Sequence, residues 1–175
     1  MPRTILTDMA ERKITGAAGS GASVAITHVA LGDGNGAAYE AAFEQTELRR
    51  ERARVAIDSR SRLSATEWRA KATFGTDTPT FKVREVGFFD GDGDLITVAS
   101  FTEDESRTVG AFEFLLDHVL SFGRVEEGLV IVDAPDDQAF DFAVVALGEM
   151  ASQRHHLFQI NEAFRKAHGH YPGEI

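Results

Sequence analysis

The chain has 175 residues, 43% of them apolar and 26% charged, an ordinary globular composition that excludes wholesale disorder. It contains no cysteine, which excludes a disulfide framework and any thiolate zinc or iron–sulfur site. A formal net charge of −10 repels phosphate backbones and argues against nucleic acid as a partner.

The opening Met1-Pro2-Arg3-Thr4-Ile5-Leu6 lacks the apolar core of a secretory signal, and no window approaches the roughly 18 apolar residues of a membrane span. The expectation is a soluble protein made in the cytoplasm, with no membrane insertion. Between residues 4 and 18, Ile5, Leu6, Met9, Ala10, Ile14 and Ala17 share one helical face, and Gly16, Gly19 and Gly21 mark its end. Residues 24–31 read as a strand stopped by Gly32-Asp33-Gly34-Asn35-Gly36. A short helical stretch is expected over residues 38–48, with Tyr39, Ala42 and Phe43 on one side.

Positive charge then concentrates at Arg49, Arg50, Arg52, Arg54, Arg60 and Arg62, interleaved with Glu44, Glu47, Glu51 and Asp58. The simplest reading is a solvated strand-and-loop face; the sharper one is a surface for docking protein. The period changes to two here. Val55 and Ile57 alternate with polar neighbours, and Trp68, Ala70, Ala72 and Phe74 give the cleanest half-buried strand. Residues 81–89 and 95–101 flank the acidic turn Asp90-Gly91-Asp92-Gly93-Asp94, a hairpin signature. Residues 111–120 and 129–132 complete the set. The fold class expected is α+β: an N-terminal helix, a mainly antiparallel β domain of roughly six or seven strands ending near residue 134, then a long C-terminal helix in residues 135–175.

That last segment changes character at Pro135. Asp133 is placed to cap and Pro135 suits the first turn; Gly169 and Pro172 stop the helix. Roughly 32 residues at 1.5 Å each give a helix about 48 Å long. Phe140, Val144, Leu147, Ala151, Arg154, Phe158 and Asn161 recur in steps of three and four, with Phe164 one place early. This heptad seam predicts a coiled coil, with polar Arg154 and Asn161 setting register or oligomer state. A single amphipathic helix packed on its own domain is the competing expectation.

Chemistry is sparse. The 32–36 glycine run lacks the lysine and hydroxyl of a phosphate-binding loop, so turn formation is the better reading. For Asp90-x-Asp92-x-Asp94 the calcium-loop spacing would need a glycine and a carboxylate where Leu95 and Phe101 stand, so a hairpin is preferred. No nucleophile elbow or zinc-binding helix motif occurs, no catalytic residue stands out, and no cofactor or metal is expected. His155 and His156 diverge by about 100° and cannot both face a seam. His168 and His170, in three copies meeting on an axis, would supply six imidazoles, a set suited to iron or nickel. The simpler reading of that end is a solvated tail.

Two stretches carry a family likeness. The segment Ile26-Thr27-His28-Val29-Ala30-Leu31-Gly32-Asp33-Gly34-Asn35-Gly36 and the segment Phe81-Lys82-Val83-Arg84-Glu85-Val86-Gly87-Phe88-Phe89-Asp90-Gly91-Asp92-Gly93-Asp94-Leu95-Ile96 resemble, in order, two motifs of phage tail-collar fibre proteins. Ile5-Leu6-Thr7, Gln45-Thr46-Glu47-Leu48 and Leu129-Val130-Ile131-Val132-Asp133 support the likeness, which covers about residues 4–134. The resemblance implies a virion structural protein, not an enzyme. It implies a homotrimer that attaches to baseplate proteins of a contractile phage-type tail and serves host attachment. Family members usually continue into a long shaft and receptor-binding tip, whereas about 40 residues follow the domain here. A short fibre, or an adaptor receiving a separate distal fibre protein on residues 161–175, is therefore expected. The rival expectations are a tail-associated envelope hydrolase and a fibre-assembly chaperone.

Overall fold

The computed structural model describes residues 4–123, 125–168 and 171–172. Its first elements are β1 (Thr4–Leu6), α1 (Asp8–Ser20), β2 (Val24–Gly32) and β3 (Glu51–Ala56). They are followed by β4 (Ser59–Arg62), β5 (Glu67–Phe74), β6 (Phe81–Val83), β7 (Glu85–Asp90) and β8 (Leu95–Ser100). The chain continues through β9 (Arg107–Val109), β10 (Phe114–Ser121), β11 (Val130–Val132) and α2 (Gln138–His168). Two compact units result, residues 1–136 and 137–175.

In the first unit, one sheet runs β1-β8-β7-β2-β11, with β3 also pairing to β2. β11 pairs in parallel with Val24–Ile26 of β2 and β3 antiparallel with its far half, so the two share one edge. A second sheet runs β10-β5-β4, and β6 pairs with β9. The core lies where Trp68, Ala70, Ala72 and Phe74 of β5 meet Ile26, Val29 and Leu31 of β2, with Ala10, Ile14 and Ala17 of α1 packed in. Alternation along β5 sets which side chains enter. A smaller cluster, Ala30, Leu48, Phe89, Leu95 and Val98, fills another face of the large sheet.

The α+β class stands, with two α-helices among the described residues. Four expectations are corrected. Among the described residues eleven strands replace six or seven, because β1, β4, β6 and β9 are only three or four residues long, too short to show a period. The N-terminal helix does not begin at residue 4. Thr4–Leu6 add to β8 as an edge strand, and the helix starts after Thr7, whose hydroxyl accepts from Ala10 N–H and donates to the Leu95 carbonyl at 2.6 Å. Residues 38–48 form no helix, since their polar groups bond outward. Ala41 N–H donates to Ser100 Oγ, and the Phe43 carbonyl accepts from Asp8 N–H, while Leu48 turns into the sheet. Finally, α2 is capped by Asp137, whose Oδ1 accepts from Phe140 N–H at 3.1 Å. Asp133 is used elsewhere, its N–H donating to the Ile26 carbonyl.

Candidate functional site

β2 and β7 are paired, and their register sets Gly32 opposite Glu85. The two sequence motifs are therefore neighbours in space. Glu85 is fully buried and central to both. Its Oε1 accepts N–H bonds from Gly34 at 3.1 Å and Arg50 at 2.9 Å. Its Oε2 accepts from Arg49 N–H at 2.9 Å and from the Tyr39 hydroxyl at 2.5 Å. Four donors on one carboxylate offset the cost of burying it. Tyr39 loses the option of ionising: burial first, then the adjoining Glu85, push its hydroxyl far above the ordinary value.

The clamp explains the glycine run. A Cβ on Gly32 would lie 2.4 Å from Glu85 Oε1 and 2.7 Å from the Arg50 carbonyl, so no side chain fits there. Asn35 adopts φ 57° between two glycines of positive φ, and Asp33 Oδ1 accepts its N–H at 3.0 Å, an Asx-type turn. Asp33 also takes a two-pronged bond from Arg50, 2.7 Å to Nε and 2.5 Å to the second nitrogen. That bond is the main reason its carboxyl lies below the usual range. What reads as a phosphate cradle is filled by the protein's own carboxylates.

The arginine concentration has partners within the chain. The Arg49 guanidinium lies 3.7 Å from the Tyr39 ring centroid and that of Arg54 lies 3.6 Å from Phe89, cation–π distances. Arg52 reaches Asp33 at 3.7 Å, Arg60 bonds Asp136 and the Val132 carbonyl, and Arg62 bonds Glu127. The acidic hairpin is likewise occupied. Asp90, Asp92 and Asp94 converge, and the Lys13 ammonium stands among them at 2.5, 2.9 and 2.5 Å. Partial burial pulls the Lys13 pKa down, but bonds to Asp90, Asp94 and Asp92 outweigh it and hold the group well above its ordinary value. The ammonium does there what a bound cation would do, tying α1 to the β7–β8 turn.

Acid–base chemistry needs a carboxyl or imidazole poised near neutrality. A surface hollow of about 600 Å³ includes Tyr39, Phe43, Ser100, Glu103 and Glu105 in its lining. Bonds from Arg84 and Lys82 hold Glu103 at a pKa of about 2, and bonds from Thr102 lower Glu105. Both are ionised acceptors. His118 has its pKa lowered by burial, and its ring sits 5.2 Å from Phe88 with Nε2 3.1 Å from Thr4 Oγ1.

The seven predicted interface residues all lie on α2, within one strip along its length at 100° per residue. Val144, Leu147 and Phe158 are 52%, 66% and 62% exposed, Ala151, Arg154 and Asn161 are exposed, and Phe140 is half-buried. The His168 side chain and His170 lie outside the described residues. Sequence reasoning missed Glu85 and Lys13. Glu85 left a signal, a carboxylate in step with Phe81 and Val83, on the face that alternation with Lys82 and Arg84 marks as buried. Lys13 left none, since its partners are 77 residues and more away.

Residues 1–111 match the family model described as phage tail-collar fibre protein, N-terminal. No curated protein and no solved structure matches the chain. Among the described residues no helix is long and apolar enough to cross a membrane.

Proposed function

The chain belongs to the phage tail-collar fibre protein family, a family of structural tail-fibre proteins and virion components, and on that premise we propose that it is a short tail fibre or fibre adaptor mounted on the baseplate of a contractile phage-type tail. The β domain is the mounting piece and α2 the start of a stalk that joins three copies. A distal fibre protein docks beyond the stalk.

One observation carries this reading. A fibre-family domain whose buried charges are matched internally is followed by a 31-residue helix with its apolar strip exposed. Such a strip is unstable in water alone and gains by burial against equivalent helices. A rigid domain with its ions paired suits a mechanical mount, which must hold shape and catalyse nothing.

Light scattering of the purified chain tests it. The expected mass is three times the 19.1 kDa of one chain. Leu147→Asp should reduce it to a monomer while the β domain keeps its unfolding transition. A wild-type monomer defeats the stalk. Mass spectrometry of intact particles should find the chain in the tail; its absence from particles would instead fit an assembly chaperone.

A further inference from the structure

β1 is the end strand of the large sheet. It pairs with β8 and, among the described residues, has no strand on its other side. The Thr7 N–H donates to the Ile96 carbonyl, and in an antiparallel ladder alternate residues face the partner. Ile5 therefore also turns its backbone groups to β8, while Thr4 and Leu6 turn theirs away. An open edge of this kind is a template for a further strand.

Two hollows flank that edge. The first, of about 600 Å³, lies on the Ile5 side, where Ile5 and Ala41 pack against the smaller core cluster. The second, of about 370 Å³, takes in Thr4 and Leu6, which face the other way, with Phe122 and Val125. Ile5 and Phe43 line both, so the hollows meet at the sheet edge. Phe43 is 54% exposed there, on a loop tied down by its own carbonyl to Asp8 N–H and by Ala41 N–H to Ser100 Oγ. A strand laid along β1 sends alternate side chains to opposite faces of the sheet, one set into each hollow.

Charge specifies the occupant. Glu40, Glu103 and Glu105 line the first hollow and Glu11 the second, and none of the described residues lining either is basic. Glu103 is met by Arg84 and Lys82. Glu11 and Glu40 are exposed and make no ion pair among the described residues, whereas Asp33 and Asp90 are each answered within the chain. Cationic side chains suit the first hollow, their stems lying on Ile5 and Phe43, and apolar ones suit the second.

We propose that the open edge of β1 accepts an extended segment of a baseplate protein in which lysine or arginine alternates with apolar residues. That the segment comes from a baseplate rests on the mounting role proposed above; the groove and its chemistry do not.

Fluorescence anisotropy tests this, titrating the full chain into a labelled eight-residue peptide that alternates lysine and valine. The controls are the same residues sorted into a lysine block and a valine block, and an alternating glutamate–valine peptide. The alternating lysine peptide should bind on the order of tenfold more tightly than either control. Glu11→Gln with Glu40→Gln should weaken it roughly three- to tenfold. Asp77→Asn with Glu113→Gln removes as much charge beside the Phe74–Phe114 end of the β5–β10 ladder, away from the Ser121 end that lines the second hollow, and should change nothing. Hydrogen exchange at the Leu6 amide should slow in the complex. Equal binding of the two lysine peptides, equal weakening by the two pairs of substitutions, or unchanged exchange at Leu6 overturns the groove. Each of those results leaves the mounting role to its own tests of mass and particle content.

Discussion

The two units of the chain solve the burial of awkward groups in opposite ways. The β domain takes in a carboxylate, Glu85, and surrounds it with four donors from its own loops. It also pairs Asp33, the 49–62 arginines and the acidic hairpin within the same chain. The helix α2 keeps Phe142, Leu147, Met150 and Leu157 each more than half exposed. A self-matched unit has a fixed stability of its own, whereas a helix that associates with its own copies, as proposed for α2, depends on concentration. Variants in the β domain should therefore lower its melting temperature at any protein concentration and leave particle mass alone. A β-domain variant that changes mass would break the distinction.

Glu85→Ala should have the largest effect, about 3 kcal/mol or more in urea unfolding, since it orphans four donors around a buried cavity. A loss below about 1 kcal/mol would mean that water replaces the clamp. Gly32→Ala should cost about 1–3 kcal/mol by forcing Glu85 and the Arg50 carbonyl apart, read the same way. Lys13→Met should cost about 1–2 kcal/mol, less in high salt, by leaving three aspartates facing one another. An unchanged melting temperature would show that α1 is held by Ala10, Ile14 and Ala17 alone.

The smallest effect concerns pH. Burial holds His118 below its ordinary value of 6.5, so just below that pH the unfolded chain binds a proton that the folded one does not. The stability tied to the neutral ring is complete above 6.5 and is lost as pH falls through the folded pKa. His118→Gln should flatten the slope of melting temperature between pH 6.5 and the onset of carboxylate titration; an identical slope would remove the histidine from the account.

Much of the fold was legible because it follows local patterns. The alternation of Trp68 to Phe74 marks β5, the hairpin turn at 90–94 sits where its glycines place it, and 31 residues without an internal proline run as one helix. Residues 38–48 misled because Tyr39, Ala42 and Phe43 have helical spacing, yet the backbone there bonds to Ser100 and Asp8 across the fold. Strands of three residues carry no period, and the parallel pairing of β11 to β2 joins segments about a hundred residues apart.

By itself the sequence determined β5, the 90–94 hairpin turn, the two family motifs and the apolar strip of α2, since each depends on neighbours within a few residues. Only the tertiary structure decided what the motifs are for. It set Gly32 opposite Glu85 and brought Lys13 to the aspartates. Those are contacts between distant parts of the chain, and a linear pattern holds no record of which residues the folded backbone will bring within 3 Å.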